Sequence, residues 1–198
     1  MNRREAIKKA AFMVGGSLLM PDVLKAWTNT AIENPNFRLT AAQDALIAEV
    51  AETIVPTTST PGAKAAGVPN FIKKMLADCY RDKYSQYFMK ELDNVEADTK
   101  AKFGKSFVDA SVEQRTEILK MYEQKAKTDA AKFREEAKTW GEAPIQNERP
   151  FFAIMKDLTV TGYFTSEIGC TQALRYEAVP GKYIGDYPYK KGDKAWAT

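Results

Sequence analysis

Apolar residues recur every three or four positions through most of the body of this 198-residue chain. The first apolar stripe opens with Thr40 and Gln43, whose spacing is that of a capping box. Ser111 and Gln114 repeat this spacing ahead of a later stripe. Alternation with a period of two, which is typical of a half-buried strand, is rare. The sequence therefore predicts an all-α fold, an irregular helical domain.

Proline and glycine divide this pattern into separate helices, because proline suits a first helical turn and glycine suits a stop. The stripes place Cys79 and Val112 on apolar helix faces, so both are expected to be buried. Residues 56–69 and 138–150 are predicted to be loops. Helices are predicted from Thr40 to before Pro56, from Pro69 to Cys79, from about Lys83 to Phe103, from Ser111 to Ala126 and from Arg149 to Thr161.

The N-terminal segment, residues 1–30, has the layout of an export signal. Five of the 29 basic residues and two of the 26 acidic residues lie in residues 1–26, which leaves 24 of each sign in the remainder. We therefore expect no nucleic-acid partner. Arg3 and Arg4 resemble the start of a twin-arginine signal, and the apolar run that follows is too short to span a bilayer comfortably. The alternative is an amphipathic first helix of a cytosolic domain.

Residues 31–198 are predicted to form one domain that carries no catalytic equipment. The chain contains no histidine, which excludes Ser-His-Asp and Cys-His nucleophile pairs and the c-type haem attachment motif. Two cysteines cannot bind a four-thiolate cluster. No dinucleotide or phosphate-binding glycine motif occurs. We predict no metal or cofactor in this chain, and we interpret Glu135-Glu136 as part of a solvated helix face.

The two cysteines leave three outcomes open. Cys79 and Cys170 form an intrachain disulfide, or both remain free thiols, or Cys170 bonds to a partner chain. Export would favour oxidation, because disulfides persist outside the cytosol.

The densest local signal is residues 158–176, followed by a tail at residues 177–198 that is rich in tyrosine, proline, glycine and lysine. Gly162 and Gly169 bracket aromatic residues, which indicates a close backbone approach or a tight turn. Tyr163 and Phe164 are either core residues or partner contacts. The tail is predicted to be extended, over the domain or over a partner. The candidate partner-binding residues are Tyr163, Phe164, Glu167, Cys170, Arg175, Tyr176, Tyr183, Tyr187 and Trp196.

Short strings in three parts of the chain stand out together. They are Gly162–Gly169, Gln172–Tyr176 and Val179–Gly181 towards the C-terminus, Thr53–Pro56, Thr60–Ala63 and Gly67–Pro69 around the first predicted loop, and Asn2–Ala6 at the start. These three sets resemble, in this order, the C-terminal signature, the first loop and the twin-arginine start of the gluconate 2-dehydrogenase subunit 3 family. The resemblance is weakest over residues 82–148.

The resemblance implies a small, non-catalytic subunit of a flavin-dependent dehydrogenase of the glucose-methanol-choline type, which oxidises sugars, sugar acids or polyols. The partner subunit would hold FAD, and a cytochrome c subunit with haem c would accept the electrons. The small subunit's signal would carry both chains through the twin-arginine translocase to the periplasm, with membrane association through the complex or through an uncleaved signal. The alternatives are a stand-alone exported domain that binds a carbohydrate or an envelope component, and a catalytic unit that uses carboxylates and tyrosines.

Overall fold

The computed structural model describes residues 37–140, 149–179, 181, 185–188 and 190–197. Within these ranges the chain is helical, and the only β pairing is one isolated bridge between Arg175 and Trp196. The all-α prediction is confirmed. The helices are α1 (Ala41–Ile54), α2 (Val68–Asp78), α3 (Asp82–Phe103), α4 (Val112–Thr128), α5 (Ala130–Lys138) and α6 (Phe151–Phe164), followed by a π-helix at Gly169–Ala173.

Both predicted capping boxes form. The backbone N–H of Gln43 donates to Thr40 Oγ1 at 3.2 Å, and the backbone N–H of Thr40 donates to Gln43 Oε1 at 3.0 Å. Ser111 and Gln114 make the same reciprocal pair, at 3.3 and 3.0 Å. These bonds satisfy amides that have no partner inside a helix, and they fix where α1 and α4 begin. Gly104 ends α3 in the left-handed region at φ 67°.

Two expectations about burial are wrong, and one helix boundary was not predicted. The break at Asp129, which separates α4 from α5, is not signalled by any proline or glycine. Val112 is 65% exposed and Cys79 is also exposed, although both were expected to be buried. Val112 is the first residue of α4 and Cys79 is the C-cap of α2. At a helix terminus an apolar stripe runs past the neighbouring helices, so periodicity alone overstates burial there.

Helix α6 lies at the centre of the fold. It contacts α1, α2, α3, α4 and the π-helix. Because it is covered from several sides, its sequence is apolar nearly throughout, and each fully buried large side chain stabilises the fold by roughly 1.5–3 kcal/mol. The buried residues of this helix are Phe151, Phe152, Ile154, Met155, Leu158, Thr159, Gly162 and Tyr163.

A half-buried ion pair links α1 to α4. Arg115 Nη1 lies 2.5 Å from Glu49 Oε2, and both side chains are 16% exposed. Arg115 Nε also donates to the carbonyl of Phe107 at 2.9 Å. This arginine therefore joins two helices and the turn between α3 and α4. Among the described helices, none combines the length and apolarity needed to cross a membrane.

Candidate functional site

One carboxylate shapes the loop between α1 and α2, residues 55–67. Glu52 Oε1 accepts hydrogen bonds from the Thr57 backbone N–H at 3.0 Å and from its hydroxyl at 2.7 Å. Glu52 Oε2 accepts from the backbone N–H of Lys64 at 2.8 Å. A Cβ atom added at Gly62 would lie 2.2 Å from Glu52 Oε1, so glycine leaves the space that the carboxylate occupies. Glu52 thus holds both ends of this loop.

Tyr163 joins this loop to the end of α6. Its side chain is buried, with 3% of its surface exposed. Its hydroxyl donates to the carbonyl of Pro61 at 2.9 Å and lies 3.2 Å from Thr60 Oγ1. Of the two alternatives for this residue, the core position is the one observed. Two of the strings that carry the family resemblance therefore meet here, although they are about one hundred positions apart in sequence.

Both glycines of the 158–176 block mark close approaches, as predicted. A Cβ atom at Gly162 would lie 2.6 Å from Cδ1 of Phe71, so the glycine lets α6 lie close against α2. A Cβ atom at Gly169 would lie 1.8 Å from the carbonyl oxygen of Tyr163. Only glycine permits the chain to turn back this tightly against the end of α6.

The π-helix after α6 satisfies the helix's terminal carbonyls. The Ser166 hydroxyl donates to the carbonyl of Tyr163 at 2.6 Å, and the Cys170 thiol donates to the carbonyl of Phe164 at 3.1 Å. The wide turn is closed by the N–H of Leu174, which donates to the carbonyl of Gly169 at 2.9 Å. These bonds occupy carbonyl groups at the end of α6 and so hold the end of the helix in place. Arg175 follows just beyond this point in the chain.

The tail returns to this point and pairs with Arg175. The N–H of Arg175 donates to the carbonyl of Ala195 at 2.8 Å, and the N–H of Ala197 donates to the carbonyl of Arg175 at 2.9 Å. These two bonds form the parallel bridge between Arg175 and Trp196.

The side chain of Arg175 packs against two aromatic rings of the tail. Its guanidinium carbon is 4.1 Å from the ring centroid of Trp196 and 5.0 Å from that of Tyr187. Arg175 Nη1 donates to the Tyr187 hydroxyl at 2.5 Å, and the two rings meet edge to face with centroids 5.6 Å apart. We call these three residues the Arg175 clasp. Three of the predicted partner-binding residues are thereby brought together by contacts within the chain itself.

Two further aromatic residues of the predicted site, Tyr176 and Phe164, are also exposed. Tyr176 is 56% exposed and Phe164 41%, compared with 41% for Tyr187 and 43% for Trp196, and Glu167 is also exposed. Clusters of exposed aromatic residues are unusual on a protein that works alone and mark surfaces for binding partners. We call Phe164, Tyr176, Tyr187 and Trp196 the aromatic surface. The predicted residues Arg3, Arg4 and Tyr183 lie outside the described residues.

Both cysteines are free thiols, so this structure contains no Cys79–Cys170 disulfide. Cys79 is exposed at the end of α2, whereas Cys170 is half-buried in the π-helix with its thiol directed to the carbonyl of Phe164. A bond from Cys170 to a partner chain stays a prediction. In the part of the chain that the structure describes, no three cysteine, aspartate or glutamate residues are grouped to hold a metal ion.

A second aromatic region, which sequence reasoning missed, lies beside the start of α6. We call Tyr80, Tyr84, Tyr87, Phe133 and Trp140 the aromatic cluster; its ring centroids are 5.0–6.3 Å apart. The tyrosines on α3 follow helical spacing and could have been noticed. Phe133 and Trp140 lie in a charged segment without a clear stripe, so no local signal joins them to this cluster.

Tyr87 borders a cavity of about 160 Å³ at this second region. Its hydroxyl accepts the backbone N–H of Phe151 at 3.2 Å. Burial, with smaller contributions from the carboxylates of Glu91, Glu136 and Asp129, raises the pKa of Tyr87 to about 12. Like an ordinary tyrosine it is neutral near pH 7, and the raised pKa makes it better suited to hydrogen bonding than to proton transfer.

A comparison with protein families finds a match. The family model described as gluconate 2-dehydrogenase subunit 3 matches residues 41–181, which include all six α-helices, the π-helix and the loop held by Glu52. Comparisons with curated proteins and with solved structures find no match.

Proposed function

The chain belongs to the gluconate 2-dehydrogenase subunit 3 family, and from this premise we propose its role in a larger enzyme. The chain is an accessory subunit of a dehydrogenase complex. The proposed complex is a periplasmic, flavin-dependent dehydrogenase of the glucose-methanol-choline type that oxidises a sugar, a sugar acid or a polyol. FAD belongs to the partner subunit, and a cytochrome c subunit with haem c is a further proposed member. The present chain contributes export, folding and stabilisation of the FAD subunit.

The observation that supports this role best is the meeting of the two family strings at the end of α6. Tyr163 bonds to Pro61 across 102 positions, and Gly162 lets Phe71 approach. The result is a firmly tied helix end flanked by exposed aromatic side chains. Such an arrangement suits a scaffold that presents a surface to another protein, because rigid aromatic residues lose little conformational entropy on binding.

The partner in this proposal is the FAD subunit. It docks on the aromatic surface and on the Arg175 clasp, which share Tyr187 and Trp196. A permanent complex of this kind buries on the order of 2,000 Å² or more. The flavin chemistry and the choice of substrate reside in the partner. Residues 1–30 supply the twin-arginine signal, whose pathway carries folded cargo, so the two chains would assemble before they cross the membrane.

Two strains separate the proposed export role of this chain from its proposed stabilisation of the FAD subunit. One strain lacks the chain, and the other carries a variant whose export is blocked. We expect deletion to leave the FAD subunit degraded or inactive. We expect Arg3→Lys together with Arg4→Lys to leave an active, flavin-loaded complex in the cytoplasm. Activity and flavin absorbance are measured in periplasmic and cytoplasmic fractions. Normal export of active dehydrogenase from cells that lack this chain would contradict the proposal.

Purification from native extract tests the partnership directly. Co-elution of this chain with a protein that shows a flavin absorbance spectrum is the expected result. Elution as a monomer without flavoprotein would instead favour a stand-alone exported binding domain. Turnover of a sugar by the purified chain alone would favour a catalytic role.

A further inference from the structure

We propose that the Arg175 clasp forms within the free subunit and there creates a preformed docking surface for a carboxylate flanked by apolar groups on the FAD subunit. This inference rests on the proposed function for the identity of the partner. It adds the residue at the centre of the interface and the chemistry that this residue recognises.

The first step is that the tail is held by the chain's own contacts. Two backbone hydrogen bonds join Arg175 to Ala195 and Ala197, at 2.8 and 2.9 Å. Lys194 Nζ donates to the carbonyl of Gln172. Each contact is weak alone, but together they join residues 194–197 of the tail to Arg175 and to Gln172 of the π-helix. The position of the tail therefore does not need a partner to define it.

The second step is that a local turn directs Trp196 back to Arg175. The N–H of Lys190 donates to Asp193 Oδ2 at 2.9 Å, and the N–H of Asp193 donates to the carbonyl of Lys190 at 3.0 Å. Gly192 has φ 99°, a conformation that other residues rarely adopt. The turn is thus encoded within four residues, and it brings the indole over the guanidinium at 4.1 Å.

The third step concerns the charge of Arg175. Its guanidinium has five N–H donors, and the Tyr187 hydroxyl accepts one of them. Among the described residues Arg175 forms no ion pair with a carboxylate, and its side chain is exposed. A guanidinium held against two rings presents its remaining donors in a set geometry. A carboxylate is the group that matches this planar fork, since it accepts two parallel hydrogen bonds.

The fourth step is that exposed aromatic surface adjoins this cation. Tyr187 and Trp196, whose rings pack against the guanidinium, are 41% and 43% exposed. Aromatic residues around an arginine form the usual composition of an interface hot spot. Because the clasp already orders these side chains, binding does not have to order them, and preorganisation of this kind favours affinity.

Two readouts on the full chain test the inference, with Arg175→Ala, Arg175→Lys and Lys191→Ala as the variants. Lys191 is exposed on the same tail and serves as the matched charge control. The first readout is the hydrogen-exchange protection of the Ala197 amide in the free subunit. The second is the Kd for the purified FAD subunit, measured by titration at about 50 and 500 mM salt, because the electrostatic screening length differs several-fold between these concentrations.

For Arg175→Ala we expect loss of Ala197 amide protection, roughly tenfold weaker binding and a smaller salt dependence of Kd. The affinity of Arg175→Lys should lie between those of Arg175→Ala and the unaltered chain, because lysine keeps the charge but loses the planar fork. Lys191→Ala should match the unaltered chain in both readouts. Retained Ala197 protection in Arg175→Ala would overturn the clasp, and unchanged affinity and salt dependence would overturn the docking role.

The failure of this inference is distinguishable from the failure of the proposed function. If the unaltered chain does not bind the FAD subunit at all, the proposed function is wrong and the docking role is lost with it. The exchange experiment still decides whether the clasp forms, since it needs no partner.

Discussion

The two ends of α6 use aromatic residues in opposite ways. At its start, the rings of the aromatic cluster pack against one another, and Phe151, which is 2% exposed, packs against Phe88. At its end, about 20 Å away for a helix of this length, polar ties hold the backbone while the aromatic surface stays exposed. The comparison teaches that the first end buries its aromatic side chains and contributes mainly to stability, whereas the second end leaves such side chains exposed, where the proposed partner would dock.

The largest expected effect is a truncation at the buried end. Phe151→Ala should lower the free energy of unfolding by about 3–5 kcal/mol, because Phe151 packs on Phe88 with ring centroids 4.8 Å apart and its removal leaves a cavity. Phe164→Ala, at the other end of the same helix, should cost less than about 1 kcal/mol, since Phe164 is 41% exposed. Chemical denaturation of both variants measures the difference, and equal losses would break the comparison.

The second effect concerns the turn at the presented end. Gly169→Ala should destabilise the chain by about 1–3 kcal/mol, because the added methyl group would meet the backbone carbonyl of Tyr163, which cannot swing aside. Gly181→Ala is the control, since a Cβ atom there has nothing within 4 Å. A melting temperature for Gly169→Ala equal to that of the control would show that the π-helix is not as tightly closed as described.

The third effect is the tie between the two family strings. Tyr163→Phe keeps the ring but leaves the carbonyl of Pro61 without its donor, so we expect a loss of about 1–2 kcal/mol. Faster proteolysis within residues 57–60 should accompany this loss, because the loop is no longer held to α6. The same proteolysis rate as in the unaltered chain would mean that Glu52 alone holds the loop.

The smallest effect is alkaline destabilisation at the buried end. The folded-state pKa of Tyr87 is about 12, above its ordinary value of 10.0. Between these values the unfolded chain loses the phenolic proton while the folded chain keeps it, so stability falls as pH rises. The stabilisation is fully present below pH 10. Urea denaturation at pH 8 and pH 11 measures the fall, and Tyr87→Phe should reduce it; an equal fall in that variant would assign it to other groups.

Local sequence signals predicted what depends on neighbouring residues. Thr40 with Gln43 and Ser111 with Gln114 form their capping boxes because each bond spans only three positions. Gly162 and Gly169 were predicted to mark close approaches, yet the groups they approach, Phe71 and the Tyr163 carbonyl, were not foreseeable. The helix predicted to end at Ala126 ends at Thr128, but the start of α5 was not predicted because no proline or glycine stands at Asp129.

The candidate site was predicted as a set of residues but not as an arrangement. Arg175, Tyr187 and Trp196 were named from composition and from the family resemblance. Their assembly into the clasp depends on the tail returning across about twenty positions. Tyr163 and Phe164 are adjacent in sequence, and only their places on α6 decide that the first is buried and the second exposed.

The sequence by itself determined the helical class, the helix starts and the family, because periodicity, caps and short strings act over a few residues. Only the tertiary structure decided which aromatic residues are buried together and which are presented. That choice depends on how α6 is covered along its length, and on bonds such as that from Tyr163 to Pro61. Contacts between distant positions form only when the whole core packs, so no local pattern encodes them.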